Sequence, residues 1–383
     1  MLPNDAVIID AVRTPTGRKK GSLSQIRPDE MAAHVLKELV KRNQVDPRFV
    51  EDIKMGCVTQ IDEQGYNIGR MAGLIAGFPV DVCGVSVNRM CASSLETLSQ
   101  GAHAIMAGMS ECVITAGVES MNRVPMGSDG GSFSTRLLDQ YNIIPQGFSA
   151  ELIAERWYLR REELDEFSFQ SHAKAVHAQE KGHFKNEIVP LEAVNKEGSK
   201  FQMDKDETPR ANTRLDSLAG LRPSFRPDGV ITAGNSSQIS DGAAAILLTS
   251  RKKAAELELK PRARVVATAL AGVDPEIMLT AIIPATNRVL AKANLNLADI
   301  DIFEVNEAFA SVVLAWQKDI GVDMKKVNPN GGAISLGHPL GASGARIIAT
   351  LVNELERTEG RYGLVTMCIG FGMAVAVIIE REV

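Results

Sequence analysis

The chain has 383 residues, a formal net charge of −5 and a pI of about 5.8. Its length exceeds what one ordinary core holds, so we expect several lobes, and its acidic balance argues against a nucleic-acid binder. Residues 1–5 show no basic stretch followed by an apolar run, and the last residues, 381–383, do not form a peroxisomal address. We therefore expect neither a signal peptide nor a peroxisomal location.

The cysteines indicate a reducing compartment. There are five, an odd number, and none stands in a CxxC pair: Cys57, Cys83, Cys91, Cys112 and Cys368. A disulfide framework and a zinc site are both disfavoured by this pattern. We expect a cytoplasmic protein with no bound metal.

The first reactive candidate in chain order is Cys91. A strand is predicted over residues 84–88, and a helix follows with apolar residues spaced three and four apart from Leu95 onward. Cys91 lies at the junction, where a helix N-terminus offers N–H groups and a positive dipole end that stabilise a thiolate. The alternative is a small buried hydrophobe.

An internal repeat supplies a partner for Cys91. Residues 51–57 and residues 299–305 each read as a strand that follows a helix and a short linker, and an offset of about 247 superimposes them. The same offset carries Cys91 onto His338, which also opens a helix. The order strand, helix, strand, helix, strand predicts two α/β units with mostly parallel central strands. Ligands bind at the carboxyl ends of such strands, so we expect Cys91, His338 and Cys368 to meet.

Residues 120–240 differ in kind and are predicted to form an inserted domain or lid. They hold one helical region, 150–181, and a long irregular stretch, 204–228, of the kind that usually carries function. A strand at 243–249 is expected to return to the first half. The predicted division is 1–119, 120–240, 241–262 and 263–383.

Two further polar sites follow predicted strands of the second half. Among the six histidines, only His338 is surrounded by glycines, which allow close backbone approach; the other five are expected at the surface. The loop lacks the Gly-Lys-Ser/Thr ending of a phosphate loop. Asn306 and Glu307 follow a mostly apolar strand and must be hydrogen-bonded or functional. The uncharged run 363–379 is predicted to be two strands and a turn, since glycines interrupt it and it is too short for a membrane span.

Four segments resemble the signature segments of the thiolases, in matching order and spacing. They are VNRMCASS (87–94), VNEAFA (305–310), NPNGGAISLGHPLGASGAR (328–346) and MCIGFG (367–372). The resemblance covers nearly the whole chain. It implies the thiolase fold, an α/β fold with a five-layered αβαβα core of two similar halves and an inserted loop domain.

The resemblance also implies catalytic roles. Cys91 would be the nucleophile, His338 its base, and Cys368 the acid/base for the acetyl α-carbon and the coenzyme A (CoA) thiol. Asn306 would hold a water that completes an oxyanion site with His338. The N–H groups of Cys91 and Gly370 would form a second oxyanion hole.

The insert resembles the CoA-binding part of the family. CoA would be a substrate, and no bound cofactor is implied. Arg210 would approach the adenine end, where its planar fork suits phosphate. The other implied CoA contacts line the pantetheine route: Ser217, Phe225, Ala233, Ser237 and Phe309.

The leading hypothesis is a degradative 3-ketoacyl-CoA thiolase (acetyl-CoA C-acyltransferase) of fatty acid β-oxidation. The short stretch 119–151, with Pro145-Gln146 in place of a His-Met pair, favours it over an acetoacetyl-CoA thiolase, the second hypothesis. The segment 278–285 departs from the degradative pattern and leaves the shape of the acyl pocket undetermined, and Phe371 stands where small or aliphatic residues are common and would narrow that pocket. A non-catalytic partner subunit that binds acyl-CoA is a third hypothesis. The family implies a homodimer or homotetramer, and some members also pair with a hydratase/dehydrogenase subunit.

Overall fold

The computed structural model describes residue 2, residues 4–195 and residues 197–382. Within them the chain forms twelve strands: β1 Ala6–Arg13, β2 Gly17–Arg18, β3 Asp52–Gly56, β4 Cys83–Val87, β5 Cys112–Ser120, β6 Leu191–Val194, β7 Lys200–Met203, β8 Ser240–Ser250, β9 Ala263–Gly272, β10 Ile302–Val305, β11 Tyr362–Ile369 and β12 Met373–Arg381. It forms twelve α-helices: α1 Pro28–Arg42, α2 Ile68–Ile75, α3 Ser93–Met106, α4 Thr135–Gln140, α5 Gln146–Arg156, α6 Arg161–Lys181, α7 Leu215–Ala219, α8 Arg251–Glu256, α9 Ile282–Ala293, α10 Ala310–Ile320, α11 Ala333–Leu336 and α12 Ser343–Thr358.

The two halves share one sheet topology, as the internal repeat predicts. The first half runs in the order β1-β8-β5-β3-β4, and the second runs β9-β12-β11-β10. A single parallel bridge between Phe303 and Val327 stands beside β10, where β4 stands beside β3 in the first half. The halves join through a short antiparallel pairing of β1 with β9.

The prediction of mostly parallel central strands is wrong. β3 pairs in parallel with β4 and β5, and β10 does so with β11, but β8 and β12 run antiparallel to both of their main neighbours. β12 follows β11 after a turn of three residues, 370–372, and so short a connection can join only antiparallel strands. The sheet is therefore mixed.

Five layers follow from how the apolar faces pack. The helices α3 and α12 lie side by side between the two sheet halves and fill the central layer with residues such as Leu98 and Ile348. The outer face of the first half is covered by α1 and α2, and that of the second half by α9 and α10. Because both faces of the sheet are covered, its central strands are buried almost throughout.

The segment between β5 and β8 is more regular than its sequence suggests. The predicted single helical region 150–181 is two helices, α5 and α6, because the chain breaks at Tyr158, which has φ +52°. The carboxylate of Glu163 accepts a hydrogen bond from the N–H of Arg160 and so starts α6 anew. Only α7 interrupts the irregular stretch 204–228. The strand expected at 243–249 is confirmed as β8.

The uncharged run 363–379 forms parts of β11 and β12 and the turn between them, as predicted. Across the described residues, no helix is both long and apolar enough to cross a membrane. All five cysteines are free thiols.

Candidate active site

Cys91 lies in the turn between β4 and α3. Side chains fix this turn: Asn88 accepts a hydrogen bond from the N–H of Met90 at 2.8 Å, and Ser93 accepts one from the N–H of Arg89 at 3.0 Å. Met90 has φ +47°, a conformation uncommon for a residue with a side chain. The bent turn leaves Cys91 buried one residue before Ala92, which caps α3.

The expected thiolate is not the resting state of Cys91. Burial above all, with a further contribution from the nearby Glu119 carboxylate, raises the pKa of the thiol to about 12. Hydrogen bonding from its own N–H and from the Gln146 side chain acts in the opposite direction but does not outweigh burial. Cys91 therefore needs a base to become nucleophilic.

His338 is held as a base by the start of α12. The Ser343 hydroxyl donates to the carbonyl oxygen of Pro339 at 2.8 Å, so its oxygen accepts from His338 Nδ1, which lies 2.6 Å away. This arrangement places the imidazole proton on Nδ1 and leaves Nε2 as the acceptor. The Asn306 amide nitrogen lies 3.4 Å from Nε2, which fits the same tautomer.

The surroundings keep this imidazole neutral. Burial lowers the pKa of His338 to about 3, and the positive charge of Arg346 acts in the same direction. Arg346 lies on the same helix as Ser343 and is itself buried. A neutral imidazole with a free Nε2 lone pair is the form that can take a proton from a thiol.

Asn306 connects the histidine to the second cysteine. Its side chain lies close enough to Cys368 to favour the thiolate and so lower the pKa of that thiol, and it also lies beside His338 Nε2. Burial raises the pKa of Cys368 well above its ordinary value, and the charge of the Cys91 thiolate raises it further, so the two sulfurs are close. The structure thus brings together Cys91, His338, Asn306 and Cys368, which come from both halves of the chain.

The buried carboxylate of Glu307, the neighbour of Asn306, is satisfied by hydrogen bonds within the protein. Its carboxylate accepts from the Ser171 hydroxyl at 2.7 Å, from the Asn328 amide at 2.9 Å and from the N–H of Ile334 at 3.1 Å. It therefore fixes the backbone on which Asn306 is mounted.

Gly370 stands in the turn that follows β11. A Cβ atom built at this position would lie 3.1 Å from Gln146 Nε2, so Gly370 and Cys91 contact the same glutamine. In the described part of the chain the Gly370 N–H donates to no other group. It is therefore free to donate to an oxygen atom bound at Cys91, as an oxyanion hole requires.

The sequence reasoning missed Glu119, a buried carboxylate that joins the two halves. It accepts hydrogen bonds from the N–H groups of Val58, Thr59 and Gly341 at 2.8–3.1 Å and from the Gln64 amide at 2.7 Å. Val58 belongs to the Cys91 side of the site and Gly341 to the His338 loop. The sequence offers a signal for it, because Glu119 lies next to the end of an apolar strand, β5, just as Asn306 follows β10.

Gln146 and Ser343 were also missed. Ser343 lies five positions after His338 in a glycine-rich loop, and its hydroxyl was a visible candidate for the Nδ1 partner. Gln146 begins α5, and nothing in the local sequence links it to Cys91. Its contact depends on how the insert folds back.

The predicted CoA residues divide into an inner and an outer group. The inner group surrounds an aromatic cluster, in which the Phe225 ring lies 6.0 Å from Phe309 and 6.3 Å from Phe148 between centroids. The N–H of Ser237 donates to the Ala308 carbonyl at 2.9 Å, which ties the insert to the second half beside Phe309. Ala233 is exposed on the preceding turn.

Arg210 and Ser217 form the outer group and are exposed. The Arg210 backbone N–H donates to His172 Nδ1 at 3.2 Å. His172 was expected at the surface, but it is buried, and burial lowers its pKa to about 4. The outer group thus lies on an exposed loop that a buried neutral histidine holds in place.

Comparison with known proteins agrees with this arrangement. Residues 6–252 match the family model for the thiolase N-terminal domain, and residues 259–381 match that for the thiolase C-terminal domain. The chain is 46% identical to a 3-ketoacyl-CoA thiolase of Vibrio parahaemolyticus, with 98% of each chain covered. It is 43% identical to a beta-ketoadipyl-CoA thiolase of Acinetobacter baylyi, over 98% of this chain and 99% of that protein.

A solved thiolase structure has the same fold as this chain. Human mitochondrial 3-ketoacyl-CoA thiolase superposes with a TM-score of 0.92 at 35% identity, and all of both chains is covered. Family match, full-length identity and shared fold point the same way. The chain belongs to the thiolase family of acyltransferases.

Proposed function

We propose that this chain is a 3-ketoacyl-CoA thiolase that uses CoA to cleave 3-ketoacyl-CoA into acetyl-CoA and a shortened acyl-CoA, in the degradative direction of β-oxidation. One observation supports this most directly: Asn306 contacts both His338 and Cys368, and Cys368 lies beside Cys91. A nucleophile, its base and a second acid/base therefore share one small site, as a two-step acyl transfer needs.

In the first step, Cys91 attacks the 3-keto carbon while His338 Nε2 takes the thiol proton. The negative charge that develops on the keto oxygen is stabilised by the N–H groups of Cys91 and Gly370. The bond between C2 and C3 then breaks, and the electron pair moves into the enolate of acetyl-CoA, whose oxygen faces His338 and Asn306. Cys368 donates its proton to C2, so acetyl-CoA leaves and the acyl group remains on Cys91.

In the second step, the Cys368 thiolate takes the proton of an incoming CoA thiol. The CoA sulfur attacks the acyl carbon, and the Cys91 thiolate leaves and recovers its proton from His338. Cys368 is protonated again, so the enzyme returns to its first state. No resident cofactor enters this scheme, and CoA is a substrate that Arg210, Ser217 and the Phe225–Phe309 cluster are proposed to bind.

The surroundings of Cys91 favour an uncharged acyl chain over the carboxylate-ended chain that a beta-ketoadipyl-CoA thiolase is named for. Cys91 packs into an apolar cluster with Val58, Met121 and Leu340, against which Met90 also lies. The charged group that acts on the thiol is the Glu119 carboxylate. A terminal carboxylate placed here would be desolvated next to a like charge.

A homo-oligomer is part of the proposal. Within the described residues no strand pairs with the outer edge of β4, and apolar side chains are exposed around it: Tyr66, Leu74, Ile75, Val80 and Val85. An open strand edge with apolar neighbours suits a second copy of the same chain. A hydratase/dehydrogenase partner subunit and the cytoplasmic location stay predictions; the free thiols fit a reducing compartment.

The test is to incubate the protein with 3-ketoacyl-CoAs of graded chain length, without free CoA, and to map adducts by peptide mass spectrometry. The proposal expects an acyl group on Cys91, release of acetyl-CoA, and no adduct in a C91A variant. Labelling by acetoacetyl-CoA alone would support an acetoacetyl-CoA thiolase instead. Absence of any adduct on folded protein would contradict the proposal and support the hypothesis of a non-catalytic partner subunit.

A further inference from the structure

The turn after β11 holds a phenylalanine in a strained conformation. Phe371 has φ +62°, in the left-handed region that residues with a Cβ rarely adopt, and Gly372 follows with φ +85°. The turn cannot easily relax, because Ile369 pairs with Met373 and the N–H of Val273 donates to the Gly372 carbonyl at 2.8 Å. Strain of this kind is retained most often where a side chain serves a function.

The ring of Phe371 meets a ring from the insert. It packs edge-to-face against Phe133, with centroids 5.8 Å apart and an interplanar angle of 80°. Phe133 belongs to the segment 126–134, whose hydrogen bonds in the described chain stay within residues 125–138. Few bonds therefore anchor this segment, and the ring pair joins it to the second half.

The ring pair lies next in sequence to the proposed oxyanion donor. Phe371 directly follows Gly370, the proposed oxyanion donor, and Gly370 shares the Gln146 contact with Cys91. The Phe225–Phe309 cluster is proposed above to bind CoA, so the acyl chain needs a different part of the site. Both rings of the pair are half-exposed, 49% for Phe133 and 40% for Phe371, so they present apolar surface to a chain.

Resting on the proposed function, we propose that Phe133 and Phe371 form an aromatic gate at the acyl end of the site, which closes over short chains and obstructs long ones. Entry of a long chain requires the rings to separate and the segment 126–134 to move. The gate makes this pair a determinant of acyl-chain specificity.

The decisive variant is F371G, because glycine adopts φ +62° without strain and the turn is therefore kept. We would measure kcat/KM for four-, eight-, twelve- and sixteen-carbon 3-ketoacyl-CoAs with the full-length protein. The ratio of the sixteen-carbon to the four-carbon value should rise about tenfold or more, as expected when a pocket gains room for several methylenes. F133A should shift the ratio in the same direction, and the double variant should shift it by less than the product of the two.

F201A is the matched control, since Phe201 is 39% exposed on β7 and belongs to no ring pair in the described chain. Its chain-length profile should equal that of the wild type. An unchanged profile in F371G and F133A, with Tm retained, would overturn the gate alone, and so would full multiplicativity of the two variants. Failure of the wild type to cleave any of the four substrates would overturn the proposed function and the gate with it.

Discussion

The two halves share a topology but end their sheets differently. In the second half, the edge of β10 is covered by its own chain: the Asn328 amide accepts from the N–H of Val305 at 2.8 Å and donates to its carbonyl at 2.9 Å, as a neighbouring strand would. In the first half, no described strand pairs with the outer edge of β4, and the Asn67 amide closes one carbonyl there: it donates to the Gly84 carbonyl at 2.7 Å, while its oxygen accepts from the N–H of Arg70 instead of from an N–H of β4. The strand edge of the His338 half is thus closed at both an N–H and a carbonyl, whereas that of the Cys91 half is closed at one carbonyl, and β4 is therefore the edge proposed for a second copy.

The largest expected effect tests whether the halves act as one catalytic unit. C91A and H338A should each lower kcat by about 10⁴-fold or more, and the double variant should lose little beyond either single one, because the base has no role without its nucleophile. Steady-state kinetics on acetoacetyl-CoA would measure this. Losses that multiply would mean that the two residues act in separate events.

The next effect tests the contacts by which Asn328 covers the edge of β10 in the second half. N328A removes a donor and an acceptor from the buried Val305 backbone and a donor from Glu307, so it should lower the free energy of unfolding by about 2–4 kcal/mol. It should also lower kcat, since Asn306 follows Val305. Chemical denaturation compared with a Q202A control, at an exposed position of β7, would show it. Equal stability of the two variants would contradict the strand-like role of Asn328.

A smaller effect tests the open edge of the first half. V85K places a charge on β4, where lysine disfavours edge pairing, and should convert the oligomer to monomer at micromolar concentration with about a tenfold or greater rise in the dissociation constant. The control is L270K, because Leu270 is an exposed apolar residue of β9 in the second half. Analytical ultracentrifugation of both variants decides. Identical masses for V85K and wild type would show that β4 is not part of the subunit interface.

The smallest effect is the pH dependence of thiol reactivity. Burial raises the pKa of both catalytic cysteines, Cys91 and Cys368. Alkylation of Cys91 by iodoacetamide should therefore rise with pH up to about pH 10 without a plateau, because its thiolate fraction keeps growing over that range. A C83S background removes the exposed thiol. A plateau near pH 8, read by peptide mass spectrometry, would indicate the stabilised thiolate that the sequence suggested.

The sequence predicted the residues that lie in local motifs but not those that act through contacts far along the chain. Cys91, His338 and Asn306 each follow a strand or open a helix in a local motif, so the repeat and the spacing located them. Glu119, Gln146 and His172 act through partners far along the chain, and no local pattern encodes such contacts. Strand direction was mispredicted because the repeat fixes element order but not how β8 returns from the insert. The break at Tyr158 depends on a single backbone conformation.

The hydrogen bond between Ser343 and His338 has a consequence for ligand design. In the resting protein, Nε2 presents a lone pair, and a carbonyl oxygen placed there meets repulsion. Only after Nε2 has gained the Cys91 proton does it attract an oxygen, so the site prefers the charged state along the reaction over the bound substrate. A resting-state inhibitor should therefore offer Nε2 an N–H or O–H donor, and a ketone that copies the substrate should bind poorly until the sulfur adds to it.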